Sequence, residues 1–345
     1  MIYSLFSVLP FVMCLMWTVL YVLHWKEHTD AQHMLLPFAC VCTILYMCHA
    51  HFFLGERNLW MECLWMACSL ASYPLYYLYV VRLTEPERTA PRLPQLLLLP
   101  AIIIPAIHML VPAWDIHIVQ APMFMFLVLY VCIRGLMRLH RLERDILNSY
   151  ADTEDKSSVG LQWLLVCAIL NSLFSAVFNA IGRDIFHQDL LVIVPSVLFT
   201  TMLFIFFYIG DRYSFSARQM REEDMMLSEE DERLQQPMSN EEQAQFVIRL
   251  NQLMSEEKIY LEPNLKLRDL ALRAGTCRTY MSEYLHHTLN TSFSDYINEQ
   301  RIRYAQRLLE ADPNVSILYL SAKSGFNSEQ SFLRNYRKFT GKSPK

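Results

Sequence analysis

Polar and basic side chains near the C-terminus lie at the spacing of one exposed helix face. Four of them carry groups that can hydrogen-bond with base edges in a DNA groove, namely Glu329, Gln330, Ser331 and Arg334. Arg337 and Lys338 follow on the same segment, where cationic side chains typically meet phosphate groups. This combination is typical of a surface that binds double-stranded DNA in a sequence-specific way.

The surrounding segment has the features of two short helices joined by a tight turn. Apolar residues from Ile317 onward repeat at helical spacing, and Gly325 can take the left-handed conformation that ends a helix. Asn327 and Ser328 then offer side-chain oxygens that cap a second helix. Residues 316–344 are therefore predicted to form a helix-turn-helix unit whose second helix contacts DNA.

The same pattern occurs upstream in residues 267–285. Ala274 and Gly275 are predicted to form the turn, and Thr276 is predicted to cap the following helix. Residues 293–311, between the two units, have apolar side chains at a helical period. At 1.5 Å per residue this connector spans about 28 Å, close to the roughly 34 Å between successive major-groove faces. One chain is thus predicted to place two recognition helices on one face of DNA.

Residues 263–344 resemble the AraC/XylS family of transcription regulators in four separately spaced motifs: LRDLALRAG, YMSEYL, SFSDYINEQRIRYAQRLL and SGFNSEQSFLRNYRKFTGKSP. The resemblance puts the four polar side chains of the second unit where the family contacts bases. It implies a corresponding set in the first unit: Cys277, Arg278, Thr279, Ser282 and Glu283. Asn290 stands where the family usually has glycine, and asparagine tolerates the left-handed region. The family commonly continues with an aromatic and basic tail beyond the position of Lys345.

Composition and charge divide the chain into unlike parts. Hydrophobic residues make up 53% of the 345 residues, with only eight glycines, which indicates membrane helices. Lys and Arg against Asp and Glu number 12 and 15 in residues 1–213, 5 and 12 in residues 214–262, and 13 and 7 in residues 263–345. The C-terminal part therefore has the positive charge that nucleic-acid binding requires.

Seven apolar segments have about the 20 residues that a transmembrane helix needs: 2–23, 34–54, 59–81, 93–111, 118–139, 161–181 and 190–209. The first lacks the basic start and the cleavage site of a signal peptide, so we expect it to be retained. The predicted fold class is all-α. A polytopic membrane helix bundle of about seven spans over residues 1–212 precedes an acidic helical linker over 213–240 and a double helix-turn-helix DNA-binding domain over 241–345.

Basic residues in the predicted loops indicate the orientation. With the N-terminus outside, the inner loops hold nine basic residues and the outer loops hold only Arg57 and Arg183. An odd number of spans then delivers the C-terminal domain to the cytoplasm. We therefore expect a multi-pass protein of the cell inner (cytoplasmic) membrane, surrounded by membrane lipid in its first region.

The longest predicted inner loop, residues 134–160, has two interpretations. Either it contacts the linker or the C-terminal domain, or it continues the fifth helix into solvent and ends in a flexible tail. The sequence favours the solvated tail.

The junction after the last span carries half of a coiled-coil pattern. Tyr213, Met220, Leu227 and Leu234 recur every seven residues, but the complementary positions are mostly acidic, and a coiled coil needs both. A charged helical linker is therefore favoured over a dimer stalk. Residues 241–257 follow with the periodicity of an amphipathic helix.

Other chemistry has weaker support. The nine cysteines lack metal-binding spacing. A set of ionisable residues near the predicted outer rim is a candidate sensor for a metal or for pH: His49, His51, Glu62, His108 and His117. Ordinary interfacial polarity explains this set as well, and the sequence favours that interpretation. Since no catalytic set or nucleotide-binding glycine loop occurs, we predict no enzyme activity, no cofactor and no metal site.

Together these observations predict a membrane-anchored one-component transcription regulator controlled by a signal sensed in the membrane region. The alternative is a membrane region that acts as a passive tether or transporter-like module without sensing. Expected partners are double-stranded DNA, membrane lipid and RNA polymerase, with a second copy of the chain if the junction forms a stalk. An integral-membrane enzyme would need a convergent catalytic set, which the sequence does not contain.

Overall fold

Helices form all the regular elements in the part of the chain that the computed structural model describes, namely residues 2–54, 58–85, 95–185, 188–220 and 239–344. These elements belong to two compact units. The first comprises Met1–Leu142 and Ser158–Met220, and the second comprises Glu143–Ser157 and Arg221–Lys345. The predicted domain boundaries therefore need one correction, because residues 143–157, predicted as an inner loop of the membrane region, are part of the second unit.

Apolar helices occur at the place of every predicted span: α1 (Ile2–Leu23), α2 (Leu35–Leu54), α3 (Leu59–Thr84), α4 (Leu99–Leu110), α5 (His117–Ser149), α6 (Val159–Ile185) and α7 (Gln188–Arg212). By length and composition, four helical segments among the described residues could cross a membrane: Gln32–Phe52, Leu59–Thr84, His117–Ser149 and Ile193–Met220. The apolar helices Val8–Leu23, Leu99–Leu110 and Val159–Leu170 are shorter. The structure thus supports four membrane-length helices and not clearly seven.

The fourth predicted span differs most from its helix. Residues 93–111 were expected to form one kinked span, whereas α4 has 12 residues and begins with Pro100 in its first turn. Twelve residues of α-helix extend over about 18 Å, which is less than the roughly 30 Å of a bilayer hydrocarbon core.

Aromatic side chains from four helices pack at the centre of the first unit. The ring centroids of Phe38 in α2 and Phe207 in α7 lie 5.3 Å apart, and those of Tyr76 in α3 and Phe206 in α7 lie 4.1 Å apart. Trp17 of α1 stacks on Phe207 at 5.8 Å. Many large apolar side chains on the outside of the unit remain exposed, which is the pattern of a surface that lies against lipid or a partner.

The junction lies only partly within the described residues. Tyr213 and Met220 are buried in the first unit. Leu227 and Leu234, which complete the predicted heptad seam, lie outside the described residues. The dimer stalk therefore stays a prediction.

Six helices of the second unit follow in the order expected for a double helix-turn-helix domain. They are α8 (Asn240–Ser255), α9 (Leu267–Arg273), α10 (Arg278–Glu283), α11 (Phe293–Ala311), α12 (Ile317–Lys323) and α13 (Glu329–Thr340). We call α10 the first recognition helix, α13 the second recognition helix and α11 the connector.

Serine side chains cap four of these helices, as the sequence indicated for α13. Ser239, Ser292, Ser316 and Ser328 each accept a hydrogen bond from the backbone N–H three residues further on. The predicted cap of the first recognition helix was wrong by one residue. Thr276 is buried, and the Cys277 Sγ accepts the bond from the Tyr280 N–H at 3.5 Å.

The connector contributes to the hydrophobic cores of both helix-turn-helix units. Its first turns place Phe293 and Ile297 in one core with Met281 of the first recognition helix. Its later turns place Ile302 and Ala305 in a second core with Phe332 of the second recognition helix. Because a single helix is built into both cores, the two helix-turn-helix units are fixed to one rigid element.

The two turn glycines have left-handed backbone conformations, as predicted. Gly275 has a φ of +77° and Gly325 a φ of +83°. Their surroundings differ. A Cβ atom at Gly325 would lie 2.6 Å from the carbonyl oxygen of Leu261, whereas a Cβ atom at Gly275 would meet no atom within 4 Å. The turn of the second helix-turn-helix unit is therefore packed against the backbone that precedes the first helix-turn-helix unit.

We expect Gly275→Ala and Gly325→Ala to separate backbone strain from steric exclusion. Gly275→Ala should lower the free energy of unfolding by about 1–2 kcal/mol, the cost of a left-handed alanine. Gly325→Ala should cost about 1–3 kcal/mol more, because its methyl group overlaps the Leu261 backbone. Urea unfolding of the full chain in detergent micelles, followed by hydrogen exchange in the second unit, measures both. Equal losses would contradict the close packing at Gly325.

Candidate nucleic-acid interface

The second recognition helix presents most of its predicted contact residues to solvent. Glu329, Gln330 and Arg334 are exposed on one side of α13, and Arg337 and Lys338 are exposed further along. Within the described residues, no carboxylate lies at ion-pair distance from Arg334. Its guanidinium therefore has the freedom that bidentate binding to guanine needs.

Lys338 differs from the other exposed cations of this helix. Its Nζ lies 2.6 Å from the Oδ1 of Asp295 in the connector, and half of its side chain is exposed. An exposed pair of this kind contributes little to stability and is readily exchanged for another anion. Arg337, with no such pair among the described residues, is the simpler candidate for phosphate contact.

The first recognition helix shows a similar division. Thr279 and Glu283 are exposed, and Ser282 is half-buried. Arg278 is half-buried and donates a hydrogen bond from its Nη2 to the Ser149 Oγ at 2.9 Å. Its guanidinium is therefore occupied by a residue at the end of α5, a contact that the sequence did not indicate.

Two predicted contact residues are buried, and we correct the predicted site accordingly. Cys277 is 7% exposed because its Sγ caps the first recognition helix. Ser331 is 3% exposed and is followed by Phe332, which is buried in the core of the second helix-turn-helix unit. Neither side chain can meet a base edge in this structure, so the interface that we propose omits both.

A buried arginine, which the sequence analysis did not single out, fixes the connector between the two helix-turn-helix units. Arg301 is fully buried, and its Nε and Nη2 donate to the carbonyl oxygens of Tyr260 and Glu262, each at 2.6 Å. The guanidinium carbon lies 5.4 Å from the ring centroid of Phe326, in the turn of the second helix-turn-helix unit. Burial lowers the pKa of Arg301 to about 10, with the Asp152 carboxylate acting in the opposite direction. The group therefore stays protonated at neutral pH.

Two side chains at the start of the second recognition helix also have partners that the sequence did not predict. Asn327 donates from its Nδ2 to the Asp152 Oδ2 at 2.5 Å, and the Ser328 hydroxyl donates to the Glu154 carboxylate. Both residues were predicted only as helix caps. Their partners lie about 175 positions earlier in the chain, so no local pattern could have indicated these bonds.

The first unit brings four of the five candidate rim residues together. His108 Nε2 lies 3.4 Å from Glu62 Oε2, and the ring of His108 lies 6.3 Å from that of His117. Trp65 donates to His49 Nε2 at 3.0 Å and also lies against the His117 ring. His51 is half-buried, and no hydrogen bond joins it to this group among the described residues.

The rim group is polar and only partly buried, and its described residues have no metal-binding geometry. His108 is 6% exposed, and its Nδ1 has no hydrogen-bond partner among the described residues. In the part of the chain that the structure describes, no three His, Cys, Asp or Glu side chains are placed to hold a metal ion.

Comparison with known proteins agrees with the geometry of the second unit. Residues 270–345 match the family model for a helix-turn-helix domain. Over 81 residues the chain is 31% identical to the Msm operon regulatory protein of Streptococcus mutans, covering 24% of this chain and 29% of that protein. Over 96 residues it is 26% identical to the HTH-type transcriptional activator AarP of Providencia stuartii, covering 27% of this chain and 70% of that protein. No solved structure matches.

These matches confirm a helix-turn-helix domain of the AraC type at the C-terminus. Both relatives are named as regulators and neither as an enzyme, which supports the prediction that the chain is not an enzyme. The chain spans less than a third of the length of the Msm operon regulatory protein. The family model matches the C-terminal part of this chain, residues 270–345.

We expect Arg301→Met to destabilise the second unit far more than Arg303→Met. Methionine leaves the buried Tyr260 carbonyl oxygen without its donor and removes the guanidinium bond to the Glu262 carbonyl, which keeps only the Leu265 N–H, at a cost of about 3 kcal/mol or more. Arg303, two residues away on the same helix, pairs on the surface with Glu299 and with no other carboxylate among the described residues, so its replacement should cost about 0.5 kcal/mol or less. Urea titration of the full chain in detergent, read by pulse proteolysis, compares the two. Similar losses of unfolding free energy in the two variants would show that Arg301 does not hold the two helix-turn-helix units together.

Proposed function

We propose that the chain is a membrane-anchored one-component transcription regulator that binds promoter DNA through its two helix-turn-helix units. The observation that carries this proposal is the shared connector, which is built into the cores of both units. Its 19 residues extend over about 28 Å, near the roughly 34 Å between major-groove faces one turn apart. Two recognition helices held by one such element are suited to a single face of DNA.

The exposed side chains divide the proposed interface by role. Glu329, Gln330 and Arg334 of the second recognition helix are proposed to contact base edges, as are Thr279 and Glu283 of the first. Ser282, which is half-buried, is proposed to contact DNA beside them. Arg278, Arg337 and Lys338 are proposed to contact phosphate, which positions the domain without reading sequence.

The first unit is proposed to be a multi-pass anchor in the inner membrane. Its four membrane-length helices and its exposed apolar surface support this proposal. We propose that the three shorter apolar helices complete seven spans, with the N-terminus outside and the second unit in the cytoplasm. Nine basic residues in the inner loops against two in the outer loops favour this orientation.

The rim group supports a sensing role for the anchor. Buried His108 lies beside half-buried Glu62 and exposed His117 in an otherwise apolar unit, and ionisable groups at such places are often functional. The alternative is a passive tether. The two differ in one observable: substitution of His108 by glutamine changes target-gene expression only if the region senses a signal.

Arg334→Ala should relax sequence preference at one base pair. A duplex with high affinity is first selected from a random library with the full chain in lipid nanodiscs, and single-base variants of that duplex are then titrated. Loss of an arginine bound to guanine removes about 1–3 kcal/mol of discrimination at its position. Unchanged discrimination in a folded variant would mean that the recognition face is misplaced.

Arg337→Ala is the matched control on the same helix. We expect it to weaken binding to all duplexes alike and to reduce the slope of log affinity against log salt by about one unit, because it removes one phosphate contact. Arg337 suits this purpose better than Lys338, which pairs with Asp295. A change of base preference in Arg337→Ala would contradict the division of roles.

The membrane orientation predicts opposite signals from two reporter fusions. Alkaline phosphatase fused after Trp114 should be active, because that loop lies outside, whereas the same enzyme fused after Glu87 should be inactive. A green fluorescent protein at the same two points should give the reverse result. Identical signals at both points would exclude the seven-span arrangement.

A further inference from the structure

Residues 143–157 form a segment that is built into the second unit although it lies between α5 and α6 in the chain. We call this stretch the loop segment. Its backbone pairs with the strand-like backbone before α9. The Ala151 N–H donates to the Leu265 carbonyl at 3.2 Å, and Tyr150 forms an antiparallel bridge with Lys266. The prediction of a solvated tail, which the sequence favoured for this loop, is therefore wrong.

The middle of the loop segment is anchored in the core of the first helix-turn-helix unit. Ala151 is 1% exposed and belongs to the same hydrophobic core as Ile297. Its carbonyl oxygen accepts hydrogen bonds from Asn298 Nδ2 at 2.9 Å and Ser294 Oγ at 3.2 Å, both on the connector. The ring centroid of Tyr150, beside it, lies 5.1 Å from Lys156 Nζ and 5.8 Å from Lys266 Nζ. We call Tyr150 and Ala151 the anchor.

An acidic tip follows the anchor and lies at the start of the second recognition helix. Asp152 accepts a hydrogen bond from Asn327, and Glu154 accepts one from the hydroxyl of Ser328. Ser328 is the N-cap of the 12-residue helix α13. The carboxylate of Glu154 thus lies where the positive end of a helix dipole and its cap attract an anion.

The other end of the loop segment contacts the first recognition helix. Ser149 accepts a hydrogen bond from Arg278 at 2.9 Å. Burial raises the pKa of the nearby Asp145 carboxyl, and the charges of Arg278 and Arg144 oppose this rise. One segment of 15 residues therefore occupies polar groups at the starts of both recognition helices.

The groups that the loop segment occupies are those that bind phosphate in DNA complexes. Side-chain amides, hydroxyls, arginines and helix N-termini supply most contacts to the DNA backbone. A carboxylate presents the same charged oxygen acceptors as a phosphate. Residues 263–345, which hold 13 Lys and Arg against 7 Asp and Glu, attract either one.

We propose that the acidic tip, Asp152 and Glu154, is an intramolecular competitor of DNA phosphate and holds the second unit in an autoinhibited state. DNA binding then requires the tip to leave Asn327 and Ser328 while the anchor stays in place. This inference rests on the proposed function. It adds that the affinity for DNA is set by a segment located between two helices of the membrane region.

The test compares two double variants of the full chain in nanodiscs. Asp152→Asn with Glu154→Gln keeps the shape of the tip and removes both charges. Asp155→Asn with Glu310→Gln removes two charges from exposed positions of the same unit and serves as the matched control. The probe is a fluorescein-labelled 30-base-pair duplex of random sequence, followed by fluorescence anisotropy. We expect the tip variant to bind about tenfold more tightly than the control variant, because two charge-assisted bonds no longer compete with phosphate.

The sign of the effect separates competition from a purely structural role. If the tip only stabilises the fold, its variant should bind DNA equally well or less well than the control, and the proposal is wrong. If neither the wild type nor any variant binds the duplex, the proposed DNA-binding function fails, which is a different result.

A measurement on the wild-type chain covers the case in which the tip variant does not fold. Carbodiimide coupling labels accessible carboxylates, and mass spectrometry locates the labels. Saturating duplex should increase the labelling of Asp152 and Glu154 and leave that of exposed Asp155 unchanged. Continued protection of both tip carboxylates in the DNA-bound chain would overturn the proposal.

Discussion

The geometry of the second unit depends on the buried guanidinium of Arg301. A buried cation normally requires a carboxylate partner, but this one is satisfied by carbonyl oxygens of the segment before α9 and by Asn298. Each of these donors has a fixed direction, since the guanidinium is planar. The connector therefore cannot rotate against the first helix-turn-helix unit without leaving a buried charge unpaired. Phe326 lies against the same guanidinium and extends this constraint to the turn of the second helix-turn-helix unit.

Local signals were sufficient to predict the elements of the second unit. The connector has the predicted bounds, residues 293–311, because its apolar period and its Ser292 cap are both encoded within the segment. The left-handed turns at Gly275 and Gly325 and the positive φ of Asn290 were likewise predicted from residue type. The burial of Ser331 was missed, because it depends on the rotation of α13 against its core and not on the residue itself.

Contacts between distant parts of the chain were beyond sequence reasoning. Asn298 and Ala151 are 147 positions apart, and Arg301 resembles any surface arginine of an amphipathic helix until its partners are known. In the first unit, hydropathy located every helix but not its length. Composition changes gradually at the end of an apolar segment, whereas α4 begins at Leu99 with Pro100 in its first turn and α5 extends for 33 residues to Ser149. A helix of that length extends over about 50 Å, well beyond a hydrocarbon core of about 30 Å.

The charge pattern of the loop segment is explained by its docking and not by membrane topology. Inner loops acquire lysine and arginine because these residues set orientation, and the basic residues through Arg144 fit that rule. Acidic residues contribute little to orientation, and the negative surface of a cytoplasmic leaflet repels them. The rule for membrane orientation therefore does not account for Asp152, Glu154 and Asp155. A basic domain that offers a hydroxyl at a helix start and a side-chain amide is the partner that such a cluster requires, and the second unit contains both groups at Ser328 and Asn327.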